Sequence, residues 1–91
     1  MPRPEKKLEI PKDGILTPRL AFAQILRERR KALKLTQTDL EDVDQVNAAY
    51  ISLLELGKRQ VCLDTFMYLA KRLQMKPSDL MREIETRTGM R

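Results

Sequence analysis

Apolar side chains begin to recur at helical intervals only after position 17. Phe22, Ile25, Leu26 and Leu33 fall on one face of a helix, and Arg27, Arg30, Lys31 and Lys34 fall largely on the other. This spacing predicts a first helix from Pro18 to about Lys34. Thr17 is placed to cap it, and Pro18 takes the first helical position, where a missing N–H costs nothing. Thr36 can cap a second helix, about Gln37 to Asp44, with Asp39 three residues on completing a short-armed capping box and Leu40 and Val43 as its apolar contacts. Asn47 opens a third, about Ala48 to Leu56, whose inward face is Ile51 and Leu54, with Val46 packing from the turn. Gly57 can adopt the left-handed conformation that ends it. Leu63, Phe66, Leu69, Ala70 and Leu73 mark a fourth helix, about Leu63 to Gln74. Pro77 and Ser78 start a fifth, with Leu80, Met81 and Ile84 on one side, reaching about Thr86.

The flanks lack this pattern. Residues 1–17 hold Pro2, Pro4, Pro11 and Gly14 and allow no helical stripe, so they read as an arm that is mobile or ordered by a partner. Leu8 and Ile10 nevertheless alternate as a short strand would. Residues 18–86 form the expected domain and 87–91 a tail.

A length of 91 residues suits one hydrophobic core. Three Gly, two Phe, two Tyr and no Trp argue against a β-sandwich. One cysteine, Cys62, excludes an internal disulfide. No run has the length of a membrane span or the look of a signal core, so a cytoplasmic, reducing setting without membrane contact is expected. Without histidine there is no imidazole base, and one thiol cannot build a zinc site. No catalytic residue, metal or cofactor is therefore expected, and the chain reads as a non-enzyme.

The net charge of +5 points to a polyanion, since Lys and Arg gain affinity by displacing counterions from phosphate. That charge is unevenly spread. Residues 1–34 carry ten basic and four acidic groups, residues 35–56 five acids and no base, and residues 57–91 eight bases and four acids.

Leu35-Thr36-Gln37, Tyr50-Ile51-Ser52, Glu55, Gly57-Lys58-Arg59, Leu63-Asp64-Thr65-Phe66 and Leu69-Ala70-Lys71-Arg72-Leu73 together resemble the Cro/repressor-like, or lambda-repressor-like, helix-turn-helix family. The likeness runs from about Phe22 to Met81 without a gap, and the segment from Gly57 to Leu63 is similar to restriction-modification controller proteins. It implies an all-α, five-helix DNA-binding domain with the motif at about residues 37–56 and the helix at about 48–56 laid in the major groove. It also implies roles. Gln37 would reach the phosphate backbone or a nearby base; Ala48, Ala49, Ser52 and Leu53 would face base edges; Arg30 and Glu55 would form a structural ion pair.

Several positions depart from the family's pattern. Glu41 stands where a small residue is usual, Gln45 where Gly is usual in the turn, Arg29 for Leu and Asp44 for an apolar residue. Ala48, Ala49 and Leu53 can touch thymine methyls but offer no hydrogen bonds, so base preference would rest on Gln37, Asn47, Ser52, the Tyr50 hydroxyl and DNA shape. Because the motif is acidic, phosphate attraction must come from its flanks: Arg27, Arg30, Lys31 or Lys34, the Lys58-Arg59 loop, and Arg3, Lys6 and Lys7 of the arm.

The expected function is a sequence-specific regulator of transcription that binds a palindromic double-stranded operator as a homodimer, because one such domain touches too few base pairs alone. Met67, Met81 and Ile84 are candidates either for that dimer contact or for the core. The alternative is an antitoxin or adaptor that keeps the fold and binds a protein partner.

Overall fold

Helix initiation follows local chemistry. In the computed structural model, which describes residues 8–42 and 46–89, Thr17 Oγ1 accepts the Leu20 amide at 3.2 Å and starts α1 (Pro18–Ala32). Asn47 Oδ1 accepts the Tyr50 amide at 2.8 Å and starts α2 (Ala48–Glu55). Cys62 precedes α3 (Leu63–Arg72), and Pro77 at the first helical position opens α4 (Pro77–Thr88).

Three of these helices stop in the same way. A residue just past the last turn takes a positive φ, and two amides fold back onto the orphan carbonyls of that turn. At α1 the residue is Lys34 (φ 59°), with the Lys34 and Leu35 amides donating to Lys31 and Arg30 carbonyls. At α3 it is Gln74 (φ 60°), with Gln74 and Met75 donating to Lys71 and Ala70. At α2 it is Gly57 (φ 69°), with Gly57 and Lys58 donating to Leu54 and Leu53. These stops end α1 at Ala32 and α3 at Arg72, two residues earlier than the apolar spacing predicts at each end.

The segment expected as a two-turn helix over 37–44 is different. Its described part holds one turn of 3-10 helix, Thr38–Leu40, and Glu41 is already extended at φ −66°, ψ 147°. Val43, Asp44 and Gln45 lie outside the described residues. The domain therefore has four α-helices among the described residues, not five. Thr36 and Asp39 do form the reciprocal cap, the Thr36 amide donating to Asp39 Oδ2 at 2.7 Å and the Asp39 amide to Thr36 Oγ1 at 3.1 Å. Beyond this cap, residues distant in sequence determine the backbone's course. The Tyr68 hydroxyl of α3 donates to the Leu40 and Glu41 carbonyls at 2.9 and 3.0 Å, and the Arg72 guanidinium donates to the Asp39 carbonyl.

The core sits between α1, α2, α3 and α4. Leu26, Leu40, Ile51, Leu54, Leu69, Leu73 and Leu80 are fully buried, and the Phe22 and Phe66 rings meet at a centroid distance of 5.8 Å. Val46 is buried from the turn side as expected, whereas Leu33 is only half-buried at the α1 cap. Arg87 ties α4 to α1, with its guanidinium 2.9 Å from both carboxylate oxygens of Glu28 and 3.1 Å from Glu83. The Arg87 hydrogen bonds hold the Glu28 carboxyl below its ordinary range.

No strand occurs among the described residues, so the alternation of Leu8 and Ile10 has another use. A turn at Pro11–Gly14, closed by the Gly14 amide on the Pro11 carbonyl at 2.9 Å, precedes the start of α1. On its far side Leu8 reaches Gly57: a Cβ placed on Gly57 would lie 2.9 Å from Leu8 Cδ1 and 2.6 Å from Leu20 Cδ2. Gly57 thus serves a left-handed helix stop and a close approach together.

The shared stop makes a stability prediction. Lys34→Gly removes the strain of a side chain at positive φ and should raise stability by up to ~1 kcal/mol, whereas Gly57→Ala should lower it by at least ~1–2 kcal/mol. Urea unfolding of the two variants against the parent chain checks both signs; equal shifts would show that backbone handedness does not govern these stops.

Candidate nucleic-acid interface

Helical spacing sorts the side chains of α2 into strips. Ile51, Leu54 and Glu55 are buried. Ala48, Ser52 and Glu55, spaced at four and three residues, share one side, and Ala49 and Leu53 share the next. Ala49 is exposed; Ala48, Ser52 and Leu53 are half-buried.

The first strip borders a groove of about 520 Å³, whose opposite wall includes Gln37, Thr36 and Thr38 from the short turn and Arg27 and Arg30 from α1. At its floor lies the Arg30–Glu55 pair. Arg30 Nε donates to Glu55 Oε2 at 2.6 Å and Arg30 Nη2 to Oε1 at 2.9 Å, a two-pronged contact matched to the carboxylate plane. Arg30 Nη1 donates to the Leu35 carbonyl at 3.0 Å, and Gln37 Nε2 approaches Glu55 Oε1 at 3.3 Å. Four segments therefore meet on one charge pair. Arg30, four residues on from Leu26 and seven from Ala23, falls at the edge of the inward face of α1, and it is buried where α2 and the turn close over that edge.

Three of the five acids that make this region negative, Asp39, Glu41 and Glu55, are engaged within the fold. Glu55 holds Arg30; Glu41 Oε2 accepts the Ala48 amide at 2.8 Å; Asp39 accepts the Thr36 amide. The backbone and side-chain hydrogen bonds from Thr36 hold the Asp39 carboxyl below its ordinary range. A carboxylate at Glu41 also suits the positive end of the α2 dipole. Off-pattern Arg29 has a use as well, its Nε donating to the Leu73 carbonyl at 3.0 Å across the α1–α3 junction.

Not all the expected interface residues gather here. Gln37, Ala48 and Ser52 line the groove, while Asn47 is exposed at the α2 cap. The Tyr50 ring packs against the core, and its hydroxyl lies 3.5 Å from the Gln60 carbonyl, toward the basic loop. Burial raises its pKa. Lys58 and Arg59 are exposed but diverge: Lys58 borders the arm beside Leu56 and Gly57, and Arg59 borders the apolar cleft between α1, α3 and α4. Thr38 is a groove residue that the sequence does not single out. Its place depends on the first motif helix shrinking to one turn, for which the local sequence carries no sign. Cys62 is exposed, and hydrogen bonds from Thr65 lower its thiol pKa.

Among the described residues no group of His, Cys, Asp and Glu could hold a metal ion, and no helix is long and apolar enough to cross a membrane. A family model described as helix-turn-helix matches residues 26–80. Two solved structures are similar in fold. One is the clp gene regulator ClgR from Corynebacterium glutamicum, with a TM-score of 0.73 and 23% identity over 81% of this chain and 79% of that one. The other is the restriction-modification controller protein C.AhdI from Aeromonas hydrophila, with a TM-score of 0.62 and 34% identity over 68% of this chain and 94% of that one. No curated protein matches the chain significantly.

The Arg30–Glu55 contact makes a prediction that separates structure from charge. Glu55→Ala leaves a buried guanidinium uncompensated and should cost about 3–5 kcal/mol, whereas pairing Arg30→Met with Glu55→Leu should recover most of that loss. Urea unfolding of the single and double variants decides it. A double variant no more stable than Glu55→Ala would mean that the carboxylate acts through something other than Arg30.

Proposed function

From the premise that the chain belongs to the Cro/C1-like helix-turn-helix family, a DNA-binding class of transcription regulators, we propose that it binds a specific palindromic duplex as a homodimer, with α2 in the major groove. The observation that carries this reading is the strip of exposed Ala49 and half-buried Ala48, Ser52 and Leu53 beside a groove that holds Gln37. A major groove about 12 Å wide admits a helix whose leading side chains are small. Ala48, Ala49 and Leu53 would then supply close apolar contact with thymine methyls, Ser52 and Gln37 hydrogen bonds, and Asn47 a contact at the α2 cap. Lys58 and Arg59 would take phosphates, and Tyr50 would brace the loop that bears them. A cytoplasmic location goes with this role.

The apolar cleft between α1, α3 and α4, about 570 Å³, supports the dimer. Its rim carries Leu63, 72% exposed, and Met81, 43% exposed, with Met67 one turn on from Leu63 at 50%. Large apolar side chains gathered on one side of a small domain favour a partner surface, and a second copy presents the same patch to itself. Ile84 is buried and belongs to the core.

Selection of bound sites from random duplexes should return a dyad-symmetric consensus. Ala49→Glu, at an exposed position, should leave the fold intact and weaken binding at least roughly tenfold by setting a carboxylate against base edges. Lys58→Ala with Arg59→Ala should weaken all sequences alike and reduce the slope of log affinity against log salt by about two. If the parent chain retards no duplex at low salt while capturing a protein, the adaptor reading replaces this one.

Met81→Asp tests the dimer separately. Sedimentation should show a monomer whose helicity is unchanged and whose affinity for a full palindrome falls toward that for a half-site. A variant that remains dimeric would place the contact elsewhere.

A further inference from the structure

Glu41 is held by its amide, its carbonyl and its side chain at once. The amide donates to the Thr38 carbonyl at 3.0 Å, the carbonyl accepts the Tyr68 hydroxyl at 3.0 Å, and carboxylate Oε2 accepts the Ala48 amide at 2.8 Å. Backbone and side chain are thereby fixed together, yet the residue is exposed. The Ala48 contact sets the carboxylate against the first turn of α2, at the leading end of the strip that carries Ala48, Ala49, Ser52 and Leu53.

With α2 in the major groove, its leading turn is the part that meets base edges. The side chains of Ala48, Ala49 and Leu53 form no hydrogen bonds, so a fixed carboxylate beside them changes what this end of the helix can recognise. An ionised carboxylate is acceptor-only and offers about four lone-pair sites, of which the Ala48 amide takes one. The positive end of the α2 dipole offsets part of its charge, which lowers the cost of bringing it near DNA. Base edges then divide by chemistry. Guanine and thymine present acceptors, which a carboxylate repels, and adenine sets its N7 acceptor beside its amino group. Cytosine presents the N4 amino group and no acceptor of its own in the major groove.

We infer that Glu41 is a specificity-determining residue that accepts a hydrogen bond from a cytosine N4 amino group at one step of each half-site. The inference rests on the proposed placement of α2 in the major groove. It asks something different of the duplex: small side chains select by fit, whereas a carboxylate selects by the sign of the group it meets. An acid in this place weakens contact with most duplexes and sharpens the choice among them.

The test is a double cycle on the full chain, with affinities read by fluorescence anisotropy. The change in the protein is Glu41→Gln, which keeps an oxygen for the Ala48 amide, removes the charge and turns an amide nitrogen outward in place of the second oxygen. The change in the duplex replaces each cytosine of the selected consensus in turn, symmetrically, by an analogue without the exocyclic amino group. At one cytosine the analogue should weaken the parent chain roughly tenfold and Glu41→Gln by less than about threefold. Glu41→Gln should also bind unrelated duplexes more tightly and select, at that step, a base that carries an acceptor. Circular dichroism establishes that the variant is folded. Should it not fold, the analogue series on the parent chain still decides, since a loss below about threefold at every cytosine overturns the inference. Equal losses in both proteins, or an unchanged consensus in the variant, leave Glu41 a cap alone and overturn this inference while α2 remains the reader. If the parent chain binds no duplex, the DNA reading and this inference fall together.

Discussion

Arg30 and Glu55 decide how α2 stands relative to α1. The guanidinium is planar and meets the carboxylate with two parallel bonds, so the pair fixes an angle as well as a distance. Its third nitrogen holds the Leu35 carbonyl just past the α1 stop, and the carboxylate also reaches Gln37. Desolvating two charges offsets most of their attraction, so the pair contributes less to net stability than to uniqueness. The consequence lies on the functional link of the chain. A helix of eight residues has little stability of its own, and its outer strip is aimed only because its inner strip is pinned by Leu54 and by this charge contact.

Charge placement obeys the same economy of partners. An acidic motif in a basic chain looks unsuited to DNA until three of its five carboxylates are traced. Glu55, Glu41 and Asp39 accept hydrogen bonds from the fold's own donors, and the Thr36 bonds stabilise the ionised form of Asp39. These acids are structural caps and braces. They still carry their charge, and at distances near a Debye length they oppose phosphate. That opposition leaves backbone attraction to residues at the margins, which explains why the basic groups flank the motif and do not sit within it.

Most of the fold is legible in the sequence because most of it is decided locally. Thr17, Asn47 and the Thr36–Asp39 pair cap where side-chain chemistry says they should, and Ile51, Leu54 and Val46 turn inward. Two kinds of feature are not legible. The backbone turns extended at Glu41, where the Asp39, Leu40 and Glu41 carbonyls accept hydrogen bonds from Tyr68 and Arg72, about thirty residues on, and no window around Gln37 contains that information. The early stops at Lys34 and Gln74 also escape, since neither residue favours positive φ, and the signature glycine is present at the ends of α2 and α4 instead, as Gly57 and Gly89. In the site, the resemblance singles out Gln37, Ala48, Ser52 and the Arg30–Glu55 pair, which the fold brings to one groove, but the divergence of Lys58 from Arg59 emerges only in three dimensions.

The chemistry of α2 then constrains what kind of reader it can be. Two alanines, a serine and a leucine allow close approach but offer one hydroxyl to base edges, whereas a strong bidentate reader supplies roughly 1–3 kcal/mol per base pair. On the proposed reading, discrimination at such a surface would come from fit: thymine methyls against Ala48, Ala49 and Leu53, and the energy of bending the duplex so that the flanking cations all reach phosphate. Small side chains serve that mode, because the closer α2 sits to the groove floor, the more strongly groove width and local twist govern whether both flanks can engage. On the proposed reading, specificity would be a property of the spacing between a smooth α2 and its basic margins, and that spacing returns to the buried pair that holds α2 against α1.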